Sequence, residues 1–462
     1  MSTFNYELRL LLRDRAAWAL TALFALVLWY ALGNGAELAE RQRATVQPAL
    51  ESAKNQSVAL SNALERQPAD PRQIARQPLL AVLPAAPLPM LAAGQADIAP
   101  SYESASLWRL QTPTDARVEI ENPSRLLAGR FDLAFVLVWL FPLFLLALAY
   151  DLVAGDRESG TLRLVLSRGV APLRWIAVRA LARGAPMLSL ALLATWASSW
   201  WGAVASQASD AGSRALHACA LVAAWGLFWL ALSALVNAFA RSAAAAATAL
   251  GAAWVTVVLV LPTLLNVVVE SLHPTPSRAE LVASAREASG AAERRGNEVL
   301  NSFYRDHPEL APPGMRTDFA QQILAVQEEV ARAVDPVRER FDAQLAEQQA
   351  LIESWRFVSP AVAVYETLTD LAGTGYWRYR SFREQVAQFK QGIYDFYSPR
   401  IHKNQMLTKA DLSAFPRFVF VEEPAERWHG RVRASILGVL ALALLAFVIA
   451  ATRLSPKSLS NS

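Results

Sequence analysis

The sequence predicts an all-α integral membrane protein with six transmembrane helices and two large extracytoplasmic insertions, the second of them mainly helical. Of its 462 residues, 54% are hydrophobic and only 18% are charged, whereas soluble domains carry about 25% charged residues. The charges are also unevenly distributed, because long apolar stretches alternate with strongly polar ones. This alternation is typical of segments embedded in a bilayer and separated by water-soluble parts.

Six apolar stretches approach the roughly 20 residues that a helix needs to cross the hydrocarbon core of a bilayer. They are Ala16–Leu32, Phe131–Tyr150, Ala185–Ala205, Ala215–Ala240, Ala243–Val269 and Val432–Ala451. The length of the first stretch, and the lack of a small-residue cleavage site after it, favour an uncleaved anchor over a signal peptide. We therefore expect six spans.

Arginine placement predicts the orientation of these spans. The N-terminal flank, the loop after the second span and the C-terminal tail all carry several basic residues, whereas the short hairpin 206–214 carries only Arg214. Basic residues in short loops mark the cytoplasmic side, so both termini are expected there. The predicted order is 1–32, an amphipathic helix and the first span; 33–129, a first outer domain; 130–269, spans two to five with a cytoplasmic helix at 155–170; 270–430, a helical outer domain; and 431–462, the last span and a cytoplasmic tail.

The two outer domains differ in composition. The first opens with a polar, helix-like stretch, Glu37–Gln67, and then becomes rich in proline, which disfavours long helices. The second contains two long polar segments with helical periodicity, Ala279–Phe303 and Arg316–Trp355. Prolines between these segments predict an antiparallel helix pair, and Pro336 is expected to kink or split its second member.

Known catalytic and metal-binding patterns are missing from the sequence, so we assign no catalytic, cofactor-binding or metal-binding residues. There is no phosphate-binding glycine loop, zinc-binding helix or nucleophile elbow, and the five histidines are not paired at metal-ligand spacing. The single cysteine, Cys219, excludes an internal disulfide. No basic run interleaved with aromatic residues indicates nucleic-acid binding, despite the net charge of +4.

Two cytoplasmic elements carry the functional prediction. In the N-terminal segment Phe4, Leu8, Leu11 and Leu12 share one helical face, whereas Glu7, Arg9 and Arg13 lie off it. This pattern fits a helix lying in the membrane surface, and it fits an ordinary basic flank equally well.

The second element is the loop after the second span. Gly160 and Thr161 fit a helix start, and Leu162, Val165 and Leu166 would form its apolar face. A short amphipathic helix between two spans could dock on a cytoplasmic partner, although spacing alone is equally compatible with a plain connecting loop.

The run Arg157-Glu158-Ser159-Gly160-Thr161-Leu162, followed by Leu164-Val165-Leu166-Ser167, resembles the type-2 permeases of ATP-binding-cassette (ABC) transporters. The N-terminal segment from Glu7 to Arg15 is similar to the first cytoplasmic helix of that family. The segments Trp355–Pro360 and Leu371–Thr374 resemble a bacterial subgroup with large periplasmic domains.

This resemblance implies a permease in the bacterial inner (plasma) membrane that exports a substrate. It also implies a cytoplasmic ABC ATPase that holds the ATP, a second copy of the chain or a homologous permease, and no cofactor bound by this chain. The ATPase-coupling interface implied by the match comprises Leu8, Arg9, Arg13, Glu158, Gly160, Thr161, Leu162, Val165 and Leu166.

Other functions stay open at the level of sequence. An ABC-driven mechanical device would act on periplasmic partners without transporting a substrate, and a scaffold or sensor would have no ATPase at the Gly160 loop. A membrane enzyme has the least support, because no catalytic constellation is present.

Overall fold

The computed structural model describes residues 3–97, 99–109, 131–162, 171–206, 208–274, 278–308 and 319–453. Within these residues the structure is almost entirely helical. The one sheet found there is an antiparallel hairpin of β1 (Leu79–Val82) and β2 (Tyr102–Ala105), with Leu79 opposite Ala105. The predicted all-α class is therefore confirmed.

Six helices in the described residues are long and apolar enough to span a membrane. They are α2 (Arg15–Arg66), α4 (133–149, formed by Leu133–Phe135, Val136–Leu140 and Phe141–Ala149), α6 (Pro172–Ser206), α7 (Ala211–Phe239), α8 (Ala243–Leu272) and α14 (Ala425–Arg453). Each predicted span falls on one of them, which confirms a multi-pass membrane protein with six spans.

The remaining helices are shorter or lie in the polar segments. They are α1 (Thr3–Arg13), α3 (Pro71–Ile74), α5 (Ala154–Glu158), α9 (Arg278–Arg294), α10 (Gly296–Asp306), α11 (Phe319–Trp355), α12 (Pro360–Ala372) and α13 (Tyr376–His402). We call the end of the bundle where α1 lies the near end, and the opposite end the far end.

Helix α7 forms the centre of the bundle and packs against α4, α6, α12 and α14. Its tryptophans Trp225 and Trp229 are completely buried. Helix α8 is peripheral by comparison, since only 17% of its most apolar stretch is buried inside the chain, against 61% for that of α7. The exposed apolar side chains of α8 therefore face lipid or another membrane protein.

Two spans contain a widened π-helical turn directly before a proline. In α4 the turn Val136–Leu140 precedes Pro142, and in α8 the turn Thr256–Val260 precedes Pro262. Proline supplies no N–H and crowds the preceding turn, so carbonyl groups there lose their helical partners. In α4 tryptophan indoles donate to two carbonyls of this turn: Trp225 to the Leu137 oxygen at 3.2 Å, and Trp254 of α8 to the Trp139 oxygen at 3.0 Å.

The first polar part is built on an extension of the first span. The 52 residues of α2 correspond to about 78 Å of helix at 1.5 Å per residue, far more than the roughly 30 Å of a hydrocarbon core. The separate span and polar helix expected from the sequence are thus one continuous helix. The proline-rich segment after it forms no long helix in its described residues, as predicted, and places Leu88 and Leu91 in the core at the far end.

The second polar part is helical, as predicted. Helices α9 and α10 pack along α11, burying Phe303, Val326 and Val330 between them. Most of the predicted break between the two segments, including Pro312, Pro313 and Gly314, lies outside the described residues. Pro336 does not split α11. It lies on an exposed side of the helix, where water can satisfy the carbonyl that proline leaves free.

Helix α12 is an apolar element that span prediction missed. Its 13 residues are too few to cross a bilayer, yet Val364, Leu368 and Leu371 belong to the membrane core. Ser359 caps its start, and Gly373 ends it with φ +76°. A side chain at Gly373 would also approach Pro87 to 2.3 Å, so this glycine allows the proline-rich segment to close against α12.

Candidate functional site

Helix α1 is attached to the bundle through a buried carboxylate. Glu7 is only 5% exposed and lies 3.3 Å from Nε of Arg179 and 3.7 Å from Nε of Arg183, both on α6. The inward face therefore centres on Glu7 with Leu8 and Leu11 half-buried, whereas Phe4 and Leu12 are exposed. This differs from the predicted apolar face, because the partners that allow Glu7 to be buried come from a distant part of the sequence.

The same two arginines hold the loop after α4. Arg179 pairs with Asp156 and donates to the Leu152 carbonyl at 2.8 Å, while Arg183 pairs with Asp151. The Trp175 ring lies 5.1 Å from the Arg179 guanidinium. A buried charge is tolerated only when it is paired and hydrogen-bonded, so these contacts determine where both α1 and the loop lie. We call Glu7, Asp151, Asp156, Arg179 and Arg183 the near-end charge cluster.

Asn237 joins the loop to the centre of the bundle. Its Oδ1 accepts from the backbone N–H groups of Val153 and Ala154 at 3.0 and 3.1 Å, at the start of α5. Its Nδ2 donates to the carbonyls of Tyr150 and Ser233, both at 2.9 Å. The side chain is completely buried, so this single amide satisfies four backbone groups and connects α7 to the end of α4.

Arg157 and Glu158 extend from α5 to the turn between α7 and α8. The Arg157 guanidinium donates to the Ala240 carbonyl and lies 3.5 Å from the carbonyl oxygens of Asn237 and Ala238, at the end of α7. Glu158 Oε2 accepts from the Ala243 N–H at 3.1 Å, at the start of α8. The carboxylate of Glu158, predicted to belong to a coupling interface, therefore contacts another span of its own chain.

The backbone changes direction after Glu158, at Gly160. Gly160 adopts φ +75°, a conformation that glycine tolerates best. It separates the end of α5 at Glu158 from Thr161 and Leu162, which are helical again, as expected of the predicted helix start. Thr161 is exposed and donates to Asp156, while Leu162 is 8% exposed and packs into the membrane core. Of the predicted interface residues in this segment, Glu158, Gly160 and Thr161 are thus exposed, whereas Leu162 is buried.

The other predicted interface residues differ in exposure. Arg9 and Arg13 are exposed on α1, and Leu8 is half-buried. Leu162 is packed against its own chain, so its side chain is covered before any partner arrives. Val165 and Leu166 lie outside the described residues.

A separate group of charges lies at the far end. Arg431 of α14 pairs with Asp370 of α12 at 3.0 Å and with Glu423 at 2.7 Å. Arg214 of α7 donates to the Asp370 carbonyl at 3.1 Å and stacks on Trp428 at 4.5 Å. Burial raises the pKa of the Asp370 carboxyl, and the positive charge of Arg431 opposes this shift. Sequence reasoning did not single out these residues, because no short spacing relates them.

A bundle of six spans with an exposed loop fixed to its near end defines a multi-pass membrane protein. The family described as "ABC-2 membrane transporter related" matches residues 79–266, which include the loop, and "Domain of unknown function (DUF3526)" matches residues 278–421. These matches support an ABC-2 type permease. No curated protein and no solved structure matches it.

The near-end charge cluster predicts how firmly α1 is held. In Glu7→Ala, Arg179 keeps Asp156 but loses its contact with α1, so we expect local opening of α1 to become easier. Breaking a buried pair costs up to about 3–5 kcal/mol, and the retained partner reduces this to roughly 1.4 kcal/mol, or about tenfold faster amide exchange. Hydrogen–deuterium exchange of residues 4–12 measures the effect, with Glu40→Ala, an exposed carboxylate on α2, as the control. Equal exchange in wild type and Glu7→Ala would show that the ion pair does not hold α1.

Proposed function

We propose that this chain is the permease subunit of an ABC exporter and that a separate cytoplasmic ATPase hydrolyses the ATP. The observation that carries the proposal is the construction of the near end. Buried charges fix the exposed helix α1 and the exposed loop after α4 to α6. Asn237 fixes the same loop to α7, and Glu158 fixes it to α8. A partner that displaced this surface would displace four spans together.

The residues that would meet the ATPase follow from exposure. Arg9 and Arg13 on α1, together with Gly160 and Thr161 on the loop, are exposed at the near end. Leu162 and Leu8 lie behind this surface and fix it to the bundle, and the exposed Glu158 fixes it to α8. The catalytic ATP site and its metal belong in this proposal to the partner, and the chain itself is a non-catalytic subunit.

We place the near end and both termini in the cytoplasm of a bacterium, with the chain in the inner membrane. Residues 33–129 and 270–430 then form periplasmic domains, and 155–170 contains the coupling element. The exposed apolar surface of α8 supports a second copy of the chain, or a homologous permease, beside that helix.

This topology predicts which side of the membrane each part faces. In a Cys219→Ser background, single cysteines at Ala346 and Thr161 are treated with a membrane-impermeant thiol reagent added to cells with a permeabilised outer membrane. We expect labelling at Ala346 before lysis and at Thr161 only after lysis, because charged reagents do not cross the inner membrane. Labelling of Thr161 in intact cells would overturn the orientation.

An ABC-driven mechanical device is the second candidate, and the far end provides a specific reason for it. Asp370, Arg214 and Arg431 tie α12 directly to two spans, while Leu88 and Leu91 cover the end of the bundle. Movement of the spans would therefore reach the periplasmic domains without a cargo. Cargo should stimulate the ATPase of an exporter, whereas the periplasmic partner protein should stimulate that of a mechanical device.

Docking is tested by adding bulk to the exposed surface. In Thr161→Trp an indole would lie between the loop and the ATPase, and loss of close packing worth about 1.4 kcal/mol corresponds to a tenfold weaker complex. We expect at least tenfold less copurifying ATP hydrolysis at equal amounts of chain. Met406→Trp, an exposed far-end position, serves as the matched control and should keep the wild-type level.

Equal ATP hydrolysis with both tryptophan variants would contradict docking at the loop. Failure of wild-type chain to retain any ATPase from native membranes would contradict the proposed function itself.

A further inference from the structure

We infer that Arg157 and Glu158 form a clamp on the α7–α8 turn that transmits movement of the docking loop to α8. This inference rests on the proposed function, because the movement is supplied by the ATPase. It assigns Arg157 and Glu158 a positioning role inside the permease.

The clamp matches the electrostatics of the two helix ends that it contacts. The last carbonyls of a helix lack intrahelical partners and carry partial negative charge, and the first N–H groups carry partial positive charge. Arg157 contacts the carbonyls at the end of α7, and the adjacent Glu158 contacts an N–H at the start of α8. Arg157 and Glu158, which are adjacent and oppositely charged, therefore contact the two sides of the short α7–α8 turn.

The start of α8 also carries a cap of its own. Ser242 caps α8 by accepting from the Ala245 N–H at 3.2 Å, which satisfies one of the free donors. Glu158 satisfies another, and it does so from a different segment of the chain. Loss of the Glu158 carboxylate would leave the capping by Ser242 and the contacts of Arg157 intact while releasing the start of α8 from the loop.

Two features of helix α8 allow it to move when the clamp moves. It is the least buried span among the six in the described residues, so little internal packing resists its displacement. Trp254 bonds it to α4, and the π-helical turn Thr256–Val260 with Pro262 follows directly. Widened turns and prolines are sites where helices bend. The segment Ala243–Val255 can therefore swing about this turn when the clamp moves.

The experiment measures the movement of α8 directly in the complex with the copurifying ATPase. Spin labels at Thr248 on α8 and Arg174 on α6, in a Cys219→Ser background, report their separation with and without ATP and vanadate. We expect a nucleotide-dependent change in wild type that falls by at least half in Glu158→Ala. Glu158→Gln keeps one acceptor oxygen and should lie between the two. Arg241→Ala, an exposed residue of the same turn, is the matched control and should behave as wild type.

The second measurement replaces the hydrogen bond from Ala243 to Glu158 by a disulfide and again follows the movement of α8. Glu158→Cys with Ala243→Cys should lose the α8 movement when reduced and regain it when oxidised, within the same folded chain. Retention of ATPase in every variant shows that docking is intact. A full α8 movement in Glu158→Ala, or a disulfide that fails to restore it, would overturn the clamp and leave the proposed function standing. Absence of ATPase from wild-type preparations would instead overturn the proposed function.

Discussion

The near end of this membrane protein depends on the burial of Arg179. A guanidinium inside a membrane protein is unfavourable unless carboxylates and carbonyls surround it, and here Glu7, Asp156 and the Leu152 carbonyl do so. Because Glu7 comes from α1 and Asp156 from the loop, satisfying one arginine on α6 fixes both elements. The surface proposed to receive the ATPase is therefore a consequence of one electrostatic requirement.

The far end uses the same solution with different residues. Arg431 lies between Asp370 and Glu423 and thereby fixes α12 and the segment before α14. Between the two ends, apolar packing and bonds from tryptophan indoles to freed carbonyls hold the spans together. Stiff, charge-fixed ends and a bendable middle are the properties expected of a bundle that transmits movement across a membrane.

Much of the fold could be predicted from sequence because it follows from local patterns. Apolar length predicted the six spans, and helical periodicity predicted the second polar domain. Helix α12 was missed as a membrane element because 13 residues resemble a soluble helix until α4, α7 and α14 surround them. The continuity of α2 was missed because polar composition after Leu32 marks the end of the bilayer, but not the end of a helix.

The candidate site was only partly predictable, because local patterns do not show contacts between distant segments of the chain. The motif around Gly160 indicated the right loop, and the structure leaves Gly160 and Thr161 exposed. The burial of Glu7 and Leu162, and the contacts of Glu158 with α8, depend on residues up to about 170 positions away in the chain. No spacing rule within a single segment can indicate such pairs.

The measurement that tests the account most directly is photo-crosslinking of the intact complex in its native membrane. A photoreactive phenylalanine analogue is placed at Ser159 or Arg13, both exposed at the near end, or at Val421, which is exposed at the far end. If the ATPase docks on the near end, Ser159 and Arg13 should crosslink to an ATP-hydrolysing protein, and Val421 should not. Crosslinks to that protein from Val421 alone, or from none of the three positions, would contradict it.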